Sequence, residues 1–368
     1  MKYWRGYLVA LFLSLATVAI TQFAASHTLL MDMVYPYMVR MLLPEVTAWS
    51  SNVDFCLWQV LLLLVIGGII LSIVLMILLR WNPVQWFGWV LAVSCLFTLL
   101  NTGLFSLGQY STPMAEDLLM EMQDYSTDSL EDAAIYYRDK ANVLSRKVNR
   151  DENGVAFSSF EDLNAQAGEG FRYLTYERGF AIFSGDTTPV KELGWSDLYS
   201  SKGITGMTVY LTGESAVNTD MPQVGLPFAI CKEMAKRMMI YNDSEANFAA
   251  FLASTCHELL SDEFQYSAYL MAYRAIYNTI ASQNSVDAQQ IVASLDASLS
   301  PLLKSDLEQY DRFFSTEQAT AADPLFTDLL ISWHIQEVVI PLTPVEDNGF
   351  DPMDETSDQL KDIVNKVA

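Results

Sequence analysis

Lys232, Glu233 and Lys236 are spaced to share one face of a helix, two basic side chains one turn apart with a carboxylate beside the first. With imidazoles at the two outer positions this would be H-E-x-x-H, in which a pair of histidines holds zinc and the glutamate is the general base. Lysine changes that chemistry. An amine ligates a metal only when deprotonated, and with a reference pKa of about 10.4 it repels a cation near neutrality. Glu245, in Glu245-Ala246-Asn247, stands where a glutamate-type site would place its third ligand. Two protonated lysines carry the same charge as two neutral histidines with Zn²⁺. The expectation is therefore an ammonium in place of a metal, with Glu245 within about 4 Å of at least one lysine nitrogen. A plain solvated lysine face with Glu233 incidental is the alternative. Cys256-His257-Glu258-Leu259-Leu260 begins like a second signature but has Ser261 at the second ligand position, and His27, His257 and His334 have no partner at ligand spacing. No metal and no cofactor is expected.

The flanking residues extend the pattern. Thr212-Gly213-Glu214 and Asn218 precede the helix, Leu226-Pro227-Phe228 leads into it, and Glu245-Ala246-Asn247-Phe248 and Tyr266-Ser267-Ala268-Tyr269-Leu270 follow. This order resembles a bacterial family of uncharacterised three-pass membrane proteins with an extracytoplasmic zincin-like domain, domain of unknown function 3810. Motifs match from Gly206 to Ala272, and none is evident beyond Asn284. The resemblance implies that Gly206–Leu211 is an edge strand able to bind an extended chain by strand addition. It also implies a persisting cleft near Gly213 and Glu214, with Tyr266 or Tyr269 able to steady an oxyanion. Read without it, Gly213 supplies turn geometry and the two tyrosines pack a core.

The elements that position these residues begin in the membrane. Residues 6–25, 56–79 and 86–107 are apolar spans free of charge, each near the ~20 residues needed to cross a hydrocarbon core. Lys2, Arg5 and Ala24-Ala25-Ser26 also fit a cleaved signal peptide, but two further spans favour an uncleaved anchor. Lys2, Arg5 and Arg80 on the cytoplasmic side satisfy the positive-inside rule, with Arg40 the one exception. Residues from Gln109 on are then extracytoplasmic, giving a membrane domain at 1–108 and an outer domain at 109–368. Leu29 to Val46 reads as a helical outer segment, interrupted by Pro36 and Pro44, that lies on the membrane or against the domain.

Four basic and three acidic residues precede Gln109, which leaves 17 basic and 41 acidic after it, a net of −24. Such a domain is repelled by nucleic acid and by anionic headgroups, which excludes nucleic-acid partners. Cys56 and Cys95 lie in the spans, so Cys231 and Cys256 are the only pair that a bridge could join, and no disulfide framework exists. In the outer domain, helices are expected at 114–122, 130–148, 160–178, 227–239, 245–256, 263–281, 286–299, 302–314, 324–339 and 357–366. Gly168 and Gly170 interrupt the third of these, and one short strand covers 205–211. The fold class is mainly α: three transmembrane helices followed by a zincin-like α+β domain with little strand.

The reading is a multi-pass cell-membrane protein whose outer domain is a catalytically inactive pseudo-peptidase. Its roles would be binding, sensing or scaffolding at the cell envelope, with the lipid bilayer and a protein or peptide ligand as partners. The alternatives are an active metallopeptidase with ligands among Glu233, Glu245, Glu214 and His257, and a structural protein with an assembly surface and no cleft. A reporter active only in the cytoplasm tests the topology. Fused at Pro83 it should give signal and after Thr112 none; the reverse pattern overturns the orientation.

Overall fold

The computed structural model describes residues 2–256, 260–283 and 285–339. His257 and the helix expected at 357–366 lie outside these described residues. Four long helices open the chain: α1 (Arg5–Ser26), α2 (Thr28–Ser50), α3 (Leu57–Leu78) and α4 (Pro83–Asn101). Helical turns carry α4 on to Tyr110, and α1, α3 and Pro83–Tyr110 are each long and apolar enough to cross a membrane. Asn82 starts α4 by accepting from the Val84 and Gln85 backbone N–H groups, with Pro83 in the first turn. Small residues bring α1 and α4 together, Gly6 and Ala10 of one meeting Gly88 and Ala92 of the other. A Cβ on Gly6 would strike the Gly88 backbone, the close approach typical of small-xxx-small helix pairs. Among the described residues no such neighbour flanks α3. Gln59 is its only buried residue, and Gly67 and Gly68 face open space.

The α2 helix corrects one expectation, because Pro36 and Pro44 do not interrupt it. Met31, Tyr35, Val39, Leu43 and Thr47 recur at four-residue spacing and are all buried, against Phe105, Leu107, Tyr210 and Tyr241 among others. That stripe, fixed by tertiary packing, outweighs the local cost of proline in a helix. The opposite face remains apolar and exposed at Leu29, Leu30, Met33 and Met41.

The rest of the described chain is a helical body. It comprises α5 (Met114–Asp117), α6 (Thr127–Leu144), α7 (Phe160–Tyr176), α8 (Ser196–Ser200), α9 (Leu226–Arg237), α10 (Asp243–Thr255), α11 (Asp262–Ser282), α12 (Val286–Ala297), α13 (Pro301–Arg312), α14 (Thr316–Thr320) and α15 (Pro324–Trp333). The centre is α9, α10 and α11, with α7 against the first two and α6 along the third. Met234, Phe248, Phe264 and Leu270 are among the side chains buried there. Gly168 and Gly170 do not break α7. They serve contact instead, since a Cβ on Gly170 would meet the Ala253 carbonyl and one on Gly168 would lie 3.1 Å from Thr187. The helix expected at 114–122 stops after one turn, where Leu119 adopts a left-handed conformation with φ of 53°.

Three short strands form one sheet in the order β1-β3-β2, with β1 (Lys191–Glu192), β2 (Gly206–Val209) and β3 (Glu214–Val217). β2 pairs with β3 antiparallel, Thr208 opposite Ser215, and β1 joins β3 in parallel. Only β2 lay within the expected strand. The other two are too short for an alternation to register. The hairpin turn depends on Gly213, whose φ is +64° and whose added Cβ would lie 2.8 Å from the Thr47 backbone nitrogen. Thr47 Oγ1 donates to the Gly213 carbonyl at 2.9 Å.

The next residue fastens the sheet to α3. The Glu214 carboxylate accepts from the Leu57 and Trp58 backbone N–H groups at 2.8 and 2.9 Å, the unpaired donors of the first turn of α3. It also pairs with Lys191 Nζ at 2.7 Å. That ammonium in turn donates to the carbonyls of Ser50 and Phe55 at 2.8 and 3.0 Å, closing the link between α2 and α3. Glu214→Ala should cost about 3 kcal/mol or more, because it leaves a buried ammonium without its carboxylate and two N–H groups without an acceptor. Denaturant unfolding of the protein in detergent measures it; a loss below about 1 kcal/mol would show that this knot does not hold the sheet to α3.

Candidate functional site

The α9 helix has two faces with different work. Ile230, Cys231, Met234 and Ala235 enter the core, while Lys232, Glu233 and Lys236 meet a cavity of about 320 Å³. Pro227 in its first turn and Gly225 before it let the helix begin against Tyr310. The cavity is walled by Gly203–Gly206, the approach to β2, and by α10, α11, α13 and α15. Gly206 is required at that wall. A Cβ there would lie 2.6 Å from the Glu233 side chain.

Glu233 is 2% exposed and is held on two sides. Thr208 Oγ1 donates to Oε2 at 2.8 Å, and Lys236 Nζ lies 3.6 Å from Oε1. Ser215 Oγ donates to the Glu233 carbonyl at 2.8 Å, so both strands of the hairpin bond the same residue. The stronger partner of Lys236 is Asp243, at 2.6 Å. Burial pushes the Glu233 carboxyl up, more than Lys236, Lys232 and Thr208 pull it down. For Lys236 the balance is opposite: burial lowers its pKa, but Glu233 and Asp243 outweigh it and the net shift is upward. The two shifts agree once burial is considered, because a fully enclosed carboxylate is penalised more than an ammonium that is 20% exposed.

Glu245 is the main correction. It does not approach the lysines. Its Oε1 accepts from the Met114 backbone N–H at 2.9 Å, and it lines a different, larger cavity of about 620 Å³ between α2, α5 and the approach to α10. Asp243, at the start of α10, takes the position expected for it. Sequence reasoning missed Asp243 because Asn242-Asp243 reads as a turn; its signal was an acidic residue in a first helical turn. In the larger cavity, Asp32 accepts from the Thr112 N–H at 2.6 Å and its hydroxyl at 2.5 Å, and Arg40 donates to the Ile182 carbonyl at 3.0 Å. Its polar groups close a junction between segments, so the smaller cavity is the candidate site.

The residues expected around the cleft are dispersed. Gly213 and Glu214 hold α2 and α3, on the far side of the hairpin from α9. Tyr266 is buried and donates to Asp306, which also pairs with Arg150 at 2.6 Å. Tyr269 packs on Phe251 and Tyr137. Tyr266 is core and Tyr269 packs half-buried against it, the plainer of their two readings. Cys231 and Cys256 are unbridged. Among the described residues, no three His, Cys, Asp or Glu side chains converge as a metal site would need.

The family model for Protein of unknown function (DUF3810) matches residues 31–331. The chain belongs to that family. The match takes in α2 from Met31 on, the knot at Glu214 and the whole cleft, so these are features of the DUF3810 region. No curated protein and no solved structure matches the chain.

Lys236→Met should strand the buried Glu233 carboxylate and cost about 3 kcal/mol near pH 7. A carboxyl whose folded pKa is raised contributes stability at low pH and loses it as pH rises. The deficit should therefore shrink on going from about pH 7 to about pH 5. Unfolding midpoints of the variant and the parent across that range give the answer. A deficit that is absent, or that grows on acidification, would show that Glu233 does not depend on Lys236.

Proposed function

We propose that this is a membrane-anchored binding protein of the cell envelope, built on a degenerate zincin-like scaffold whose outer domain holds an extended peptide without cleaving it. The observation that carries the reading is the Lys236 ammonium, which is ion-paired to Asp243 and Glu233 at the helix position where a zincin has its second imidazole. The donor set does not suit zinc. Two lysines occupy the ligand positions, Glu245 faces another cavity, and the would-be base Glu233 is already bonded to Thr208 and Lys236. β2 is an outer strand of the sheet, and the approach to it walls the cavity, which suits strand addition by a bound chain. The placement of this domain outside the membrane rests on Lys2, Arg5 and Arg80.

The metallopeptidase reading has less support, because Glu233, Glu245 and Glu214 are each committed to a different structural bond. The full chain, purified in detergent, should hold far less than one zinc per molecule by elemental analysis, and a chelator should leave its Tm unchanged. Fluorescent extended peptides should bind saturably in anisotropy measurements, with no cleavage products by mass spectrometry. Stoichiometric zinc with hydrolysis would replace this reading by the peptidase one, and the absence of any peptide binding would remove the cleft function.

A further inference from the structure

Lys232 is the member of the cleft's charged set that has no partner among the described residues. Lys236 is engaged by Asp243 and Glu233, and Arg274 by Asp311 at 2.7 Å and the Ala319 carbonyl. Asp323 accepts from Ser244 Oγ at 2.6 Å, from Asn247 and from the Phe326 N–H. Nothing of this kind reaches the Lys232 amine. Asp243, Glu233 and Asp323 act on it only from beyond ion-pair range, and burial lowers its pKa. Lys232 is half-buried on the cavity wall, and an ammonium partly withdrawn from water with no counter-charge in ion-pair range gains from an anion delivered by a ligand.

The surroundings of that amine narrow the anion. Phe228 lies one turn before Lys232 on α9, and Phe314 and Phe326 line the same cavity from α13's end and α15. A cationic point beside an aromatic lining fits a carboxylate joined to an apolar group. The cavity's 320 Å³ is at the small end of ligand sites, about 300–1,000 Å³, so it holds the end of a chain better than its middle. We propose that the cleft takes the C-terminus of an extended peptide, with the α-carboxylate ion-paired to Lys232 and an apolar last side chain among Phe228, Phe314 and Phe326. This rests on the reading of the cleft as a peptide site and adds its chemical selectivity.

The test uses the full chain in detergent and two probes, a fluorescein-labelled pentapeptide ending in phenylalanine as the free acid and the same peptide as the C-terminal amide. The free acid should bind about tenfold tighter or more, the size expected of one charge-assisted bond. Lys232→Met should bring the acid down to the affinity of the amide and leave the amide unchanged, while Lys232→Arg should keep the preference for the acid. Equal binding of acid and amide by the parent protein would overturn the carboxylate assignment and leave the peptide cleft standing. Persistence of the acid preference in Lys232→Met would overturn the role of Lys232. Failure of both probes to bind would overturn the assignment together with the cleft reading beneath it.

Discussion

The Glu214 carboxylate is the constraint on which the arrangement of this protein depends. It satisfies two N–H groups at the start of α3 and neutralises Lys191, and Lys191 closes the link from α2. Because Glu214 opens β3, the same hairpin that meets the apolar helices at its turn meets Glu233 through Thr208 and Ser215 along its length. The wall of the candidate cleft and the anchorage of α3 are therefore parts of one short hairpin.

Much of the fold was legible in the sequence where a period is long enough to read. The apolar spans, and the helices α6, α7, α9 to α13 and α15, follow from runs of ten or more residues with a consistent face, whereas the five-residue α8 and α14 offer no such run. What was not legible depended on contacts between distant segments. Pro36 and Pro44 look like breaks until the stripe from Met31 to Thr47 is seen against Tyr210 and Tyr241. Gly168 and Gly170 look like interruptions until Thr187 is found against the first and α10 against the second. The strands β1 and β3 are held by register, which no local pattern of two or four residues can express.

The site divides the same way. Lys232, Glu233 and Lys236 share a cavity wall because helical spacing alone puts them there. The partner of Lys236 was misassigned because Glu245 was chosen by its offset in a motif, whereas a residue near a helix start can turn either way. Asp243 turns toward α9 and Glu245 toward α5. Glu214 shows a related error. A motif glutamate beside a cleft strand suggests chemistry, but at 2% exposure with three donors around it, its work is structural.

The isolation of α3 explains a difference in composition among the three apolar helices. α1 and α4 shelter each other, and they carry Ser14, Thr17, Thr21, Ser94, Cys95 and Thr98, with Ser14 Oγ and Cys95 Sγ meeting at 3.3 Å. The most apolar 18-residue stretch of α3 has a mean hydropathy of 3.2, against 2.1 in α1 and 1.9 in Pro83–Tyr110, and after Gln59 its only hydroxyl, Ser72, bonds to its own helix at Ile69. About 34 Å of α2 runs between the end of α1 and the link to α3. Among the described residues almost nothing covers α3, and its near-uniform Leu, Ile and Val content suits a surface that only hydrocarbon would solvate, as polar surfaces suit water.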